Sequence, residues 1–215
     1  MALLRVTNPA PPSLPLAPAE YERRYQDQYS NVLRLYFNQL RNGLSELLGT
    51  AGGRFLAFPY GAFSSYADQT TTANTATLMT LDTTDFANGV SINSSKITVA
   101  NSGLYNLQFS AQFQNTDNQI QDISIWLRQN GTDIAGSTGF VSIPARKSAA
   151  AGEEAHEIIG WNYYLSMTAG DYIELYWSAT LASVTIQTYP ASTGPTRPST
   201  ASVVATLSFV SALPT

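Results

Sequence analysis

Tyr105-Asn106-Leu107-Gln108-Phe109-Ser110-Ala111-Gln112-Phe113 decides the fold, because its odd positions are apolar and the positions between them are polar. Side chains alternate across a β-strand, so a period of two puts one face in a core and the other toward water. The same alternation recurs at Ile123-Ile125-Leu127, Ile159-Trp161-Tyr163-Leu165, Ile173-Leu175-Trp177, Val184-Ile186 and Val203-Ala205-Leu207-Phe209. Turn signals separate these runs: Asn101-Ser102-Gly103, Asn130-Gly131 and Ala169-Gly170-Asp171. Asn-Gly supplies the positive φ angles of a tight hairpin. Many short strands without intervening helices predict an all-β antiparallel sandwich or jelly roll over residues 55–215, not a parallel α/β sheet. Thr70 to Ala76 and Ala145 to Ala155 read as long loops.

Upstream the period changes. Between Ala19 and Leu48 there is no proline, and Tyr21, Tyr25, Tyr29, Val32, Tyr36, Leu40, Leu44 and Leu47 recur at steps of three and four. That is one face of a helix, within a helical segment spanning residues 19–54 and stopped by Gly49, Gly52 and Gly53. Asn42-Gly43 is a weak point where the helix is expected to kink or break, since an interior glycine costs about 1 kcal/mol relative to alanine. Thirty helical residues reach about 45 Å, too far for one sandwich to cover. The stripe is therefore expected to pack on other chains, with folding back on its own domain as the alternative. Residues 1–18 carry Pro9, Pro11, Pro12, Pro15 and Pro18 and read as an extended arm.

Charged residues make up 12% of the 215-residue chain, about half the usual share, with Ser, Thr, Asn and Gln in their place. Such a surface suits close subunit packing. Net charge is -4, with residues 1–54 at +2 (six Arg against four acids) and residues 55–215 at -6 (five basic groups against eleven acids). No basic stripe exists to neutralise phosphates, which argues against nucleic acid as a partner. Zero cysteines exclude disulfides and thiolate chemistry and fit assembly in a reducing cytoplasm. The opening residues Met1 to Val6 are too short for a signal-peptide apolar region, and no apolar run reaches the length needed to cross a membrane. A soluble, unprocessed chain is the expectation.

The strand motifs together resemble the globular head of complement component one-q and its tumour-necrosis-factor-like relatives. The resemblance is carried, in order, by Ile97-Thr98-Val99, Gly103-Leu104-Tyr105-Asn106-Leu107-Gln108-Phe109, Ile125-Trp126-Leu127-Arg128-Gln129-Asn130-Gly131, Leu165 with Gly170-Asp171-Tyr172-Ile173-Glu174-Leu175, and Ala205-Thr206-Leu207-Ser208-Phe209. It covers roughly residues 55–210. Leu33 to Leu40, and Tyr189-Pro190-Ala191 leading to Ser202-Val203-Val204, look like tailed-phage versions of this domain. The chain departs from secreted members in lacking cysteines, a signal peptide and a collagen-like stalk.

The resemblance implies a trimeric jelly roll of about ten strands and a non-enzymatic virion structural protein, a capsid decoration or head-fibre protein made in the host cytoplasm. Its partners would be two further copies of itself and other virion proteins such as the major capsid or neck and portal proteins. The alternative is a tail-fibre or tail-associated protein binding a host glycan or surface protein through its loops. Tyr21, Tyr25, Tyr29, Tyr36 and Leu40 are the expected particle contacts. Phe55, Phe58, Tyr60, Phe63 and Phe209, with Tyr66 beside them, are where the family would place threefold contacts.

Recognisable chemistry is sparse. His156-Glu157 lacks the second histidine of a zinc-peptidase helix. Gly136-Ser137-Thr138-Gly139 has its serine in the wrong place for a nucleophile elbow and reads as a turn. Glu153, Glu154 and Glu157 read as loop charges rather than a glycosidase pair. Asp117 and Asp122, with Asn115, Asn118 and Gln119, offer oxygen atoms to a calcium ion without the ligand spacing of an EF-hand, so a solvated turn is expected and no cofactor is assigned. Asp171 is expected to order the Gly170 turn.

Overall fold

The computed structural model describes residues 9–48, 58–150 and 152–212. The chain divides into two compact units, Met1–Ala57 and Phe58–Thr215.

In the first unit, residues 9–18 form neither helix nor strand, and a bend at Ala19 and Glu20 precedes helix α1, Arg23–Leu48. The helix begins four residues after the predicted start of its segment at residue 19 and two after the first residue of the apolar stripe, Tyr21. Pro18 holds the chain before it extended, and the first turn is set by Gln26 N donating to Glu22 O at 3.2 Å. The predicted break at Asn42-Gly43 does not occur, because the hydrogen-bonded ladder on both sides outweighs the cost of one glycine. Tyr25 and Tyr29 stack at 6.0 Å along the stripe, as residues four apart on a helix do.

The second unit is a two-sheet antiparallel β-sandwich with fifteen strand segments among the described residues. One sheet runs β10 (Ala155–Met167), β6 (Gly103–Asn115), β15 (Val203–Ser211), β1 (Tyr60–Ser65), β3 (Thr83–Asn88), with β12 (Val184–Ile186) also on β6. The other runs β4 (Val90–Asn93), β5 (Lys96–Val99), β11 (Tyr172–Ala179), β7 (Gln121–Gln129), β8 (Thr132–Asp133). In it β2 (Thr77–Leu78) is added to β11 and β9 (Gly139–Ile143) to β7. A small hairpin, β13 (Ser192–Thr193) and β14 (Thr196–Arg197), stands apart.

The alternation in β6 works as the sequence requires: Tyr105, Leu107, Phe109, Ala111 and Phe113 are all buried. They meet Ile123, Ile125, Leu127, Ile173, Leu175 and Trp177 from the opposite sheet in one continuous core. Each fully buried large apolar side chain stabilises the fold by about 1.5–3 kcal/mol before chain entropy is subtracted. Tyr105 keeps its hydroxyl satisfied by donating to Asn101 O at 2.7 Å, and burial pushes its phenol pKa up.

Asn130 and Gly131 adopt φ of 51° and 80° between β7 and β8, both in the left-handed region that a two-residue hairpin demands. Gly160 has a different reason to be glycine. On β10 its Cα lies against the Phe109 carbonyl oxygen of β6, leaving no room for a Cβ.

Candidate functional site

Three surfaces compete as functional sites: the outer face of the β6 sheet, the aromatic cluster at the start of β1, and the polar loops. The outer face of the β6 sheet is built by the polar positions of the strands. Asn162, Gln108 and Thr206 lie in one cross-strand row, Tyr164, Asn106 and Ser208 in the next, and Gly160, Ser110 and Val204 in a third. The six strands of this sheet include two formally charged residues, Asp85 and Glu157. Ile158, Tyr164, Phe86, Val204 and Val210 are nevertheless exposed on these strands. A face that is polar, almost uncharged and studded with exposed apolar side chains has the composition of a surface to be covered.

Beside it lies the aromatic cluster. Phe58 stacks on Phe209 at 5.9 Å, Phe209 meets Tyr105 edge-on at 5.6 Å, and Tyr60 leans on Phe86 at 6.1 Å. Phe58, Tyr60 and Tyr66 are exposed, while Phe209 is half-buried against the core. Phe63 corrects the expectation of a threefold contact, because it is 0% exposed within its own subunit. Alternation from the exposed Tyr60 turns Gly61 and Phe63 to the same inner face, where the absent Cβ of Gly61 leaves room for the Phe63 ring. Phe55 lies outside the described residues.

Of the expected particle contacts, Tyr25, Tyr29, Tyr36 and Leu40 share the half-buried stripe of α1. Tyr21 does not join them. It precedes the helix and is 81% exposed.

The loop after β6 is tied together by protein groups. Asn115 is fully buried; its amide donates to Gln119 O and Pro144 O, both at 2.9 Å, and its Oδ1 accepts from Asp117 N. Asp117 accepts from Asn118 N and from Gln121 Nε2 at 2.6 Å, while Asp122 accepts from Ser142 Oγ at 2.6 Å. These oxygen atoms organise a turn. Among the described residues no three His, Asp or Glu side chains group as metal ligands. Ser137 is buried, donating to Ile134 O at 2.8 Å and accepting from Leu127 N at 3.0 Å, a structural role. His156 is exposed on β10, its Nδ1 3.0 Å from the Tyr189 hydroxyl.

Asp171 orders its turn as expected and also ties it to the β7–β8 hairpin. It accepts from Thr168 N at 2.7 Å and from Asn130 Nδ2 at 2.8 Å, with Gln129 Nε2 at 3.2 Å, and these donors hold its pKa below the usual carboxylate range. A depressed folded-state pKa contributes stability that is present above the ordinary carboxylate range and lost as pH falls through the lower folded value. The melting temperature of wild type should therefore fall more steeply on acidification than that of Asp171→Asn. Parallel curves for the two proteins would contradict this assignment.

No protein-family model matches the chain, and no curated protein matches it in sequence.

Proposed function

We propose that the protein is a non-enzymatic structural subunit of a virus particle, a trimer whose sandwich is a jelly roll of the complement one-q and tumour-necrosis-factor-like type. The observation that carries this reading is the nearly uncharged outer face of the β6 sheet with its exposed apolar side chains. Two further copies of the chain are its natural cover, since a face without charge neither repels itself nor calls for a charged partner. The strand order supports the jelly-roll reading. From β5 to β6 to β7, and from β9 to β10 to β11, the chain passes between sheets, and β15 returns to lie beside β1. The tailed-phage resemblance of Leu33 to Leu40 and of Tyr189 to Val204 supplies the virion setting. The arm and the Tyr-rich stripe of α1 then serve as the anchor on capsid or neck proteins.

Sedimentation velocity of the full chain should give a trimer. Paired substitutions Tyr164→Glu and Val204→Arg place charges in that face without touching the core, and should yield folded monomers. A wild-type monomer, or a trimer indifferent to both charges, would remove the basis of the proposal. Deleting residues 1–48 should leave a folded trimeric sandwich that is absent from purified particles; normal incorporation would refute the anchor role. A copy number in the tens or fewer per particle would move the chain from a decoration to a tail role.

A further inference from the structure

Helix α1 carries a second apolar line beside its tyrosine stripe. Leu33, Phe37, Leu40 and Leu44 follow at steps of four, three and four, and Leu47 continues the pattern in the sequence. That is the heptad spacing of a coiled-coil seam, with Phe37 and Leu44 at a positions and Leu33 and Leu40 at d positions. Leu33 and Leu40 are half-buried, whereas Phe37 is 59% and Leu44 49% exposed in the single chain. Upstream the equivalent positions hold Gln26 and Ser30, so the seam belongs to the C-terminal half of the helix.

The flanks of the seam point to its cover. At e stand Arg34 and Arg41, and at g stand Tyr29 and Tyr36. In parallel coiled helices a g side chain meets the e side chain of the following heptad on the neighbouring helix. Tyr29 then lies beside Arg34 of another copy, and Tyr36 beside Arg41. A guanidinium over a tyrosine ring is attractive. Arg34 donates to Asn31 Oδ1 at 2.8 Å within its own helix, an exposed bond of small net worth that it can exchange for the ring. An antiparallel pair overlapping along the whole seam instead sets e against e and brings arginine to arginine, which repel.

Two heptads are too short to hold free peptides together. Residues 49–57 tether each seam to its own sandwich, so in the trimer proposed above three seams meet at high effective concentration. We infer that residues 33–47 of three copies wind into a parallel coiled coil, with Leu33, Phe37, Leu40 and Leu44 in its core and Arg34 and Arg41 stacked on tyrosines of the neighbouring helix. The number three rests on the trimeric reading, and the parallel register rests on the seam itself. Tyr25, Val32 and Leu35 fall at outward positions, where they remain open to the particle contacts of the anchor.

The chain contains no cysteine, so single introduced cysteines report the packing directly. Phe37→Cys and Leu44→Cys lie at a positions two turns apart, where parallel copies bring like residues within reach of a disulfide. Asn42→Cys, on the outward side of the helix, is the control. Under mild oxidation of the full chain the first two should each run mainly as linked pairs on a non-reducing gel, and the third about tenfold less. An antiparallel arrangement can align only one of the two positions with itself, and a helix seated on a different protein or on lipid aligns neither. Linkage at one position only, at neither, or equally at residue 42 would overturn the inference. Sedimentation of the same reduced variants separates this outcome from failure of the trimer. A trimer without linkage removes the coiled coil alone, whereas a monomer removes the trimeric reading and the coiled coil with it.

Discussion

Trp177→Ala is expected to destabilise the sandwich by about 3–5 kcal/mol, the range for deleting a fully buried large aromatic side chain. Trp177 is 0% exposed on β11 and meets Phe113 of the opposite sheet edge-on at 5.6 Å, so its removal opens a void between the two layers. Urea denaturation followed by near-ultraviolet circular dichroism would measure the loss. The mechanism can be separated from mere loss of an indole. Trp177 Nε1 has no hydrogen-bond partner, so Trp177→Phe keeps most of the contact with Phe113 and discards an unsatisfied donor. The phenylalanine variant should lose less than half of what the alanine variant loses. Equal losses would mean that the indole nitrogen is bonded after all.

Gly160→Val should cost about 2–4 kcal/mol, more than overpacking usually does, because the added atoms meet backbone rather than a side chain able to swing aside. The obstacle is the Phe109 carbonyl oxygen on β6, a fixed member of the sheet ladder. Thr132 is exposed on β8 of the other sheet, so Thr132→Val provides a control expected within about 0.5 kcal/mol of wild type. Amide exchange should localise the damage of Gly160→Val to the pairing of β10 with β6. Gly160→Val as stable as Thr132→Val would show that the two backbones can part at little cost.

The long strands were legible because they are buried on one face only. In β6, β7, β10, β11 and β15 the alternating residues are buried, or half-buried at Trp161, Tyr163 and Phe209, and Asn130-Gly131 forms the expected hairpin turn. Strand β3 gave no such signal, since Thr84 to Asn88 are exposed and nothing in its composition demands a period. Phe63 was assigned to the threefold by the family resemblance, whereas plain alternation from the exposed Tyr60 turns its ring into the core of its own subunit. The apolar stripe located α1 but not its first turn, which depends on how the chain leaves Pro18 rather than on residue period.

Strand β15 lies between β6 and β1, inserted from the far end of the body, with Val203 paired to Ser65 on one side and to Ala111 on the other. A growing polypeptide therefore has nothing to fill that gap until residues near 203 have left the ribosome, so β1, complete at Ser65, waits with an open edge over more than a hundred residues of synthesis, and β6, complete at Asn115, over somewhat fewer. Closure of the sandwich is in this way a checkpoint on translation: a product truncated before residue 203 keeps an open flank between β1 and β6.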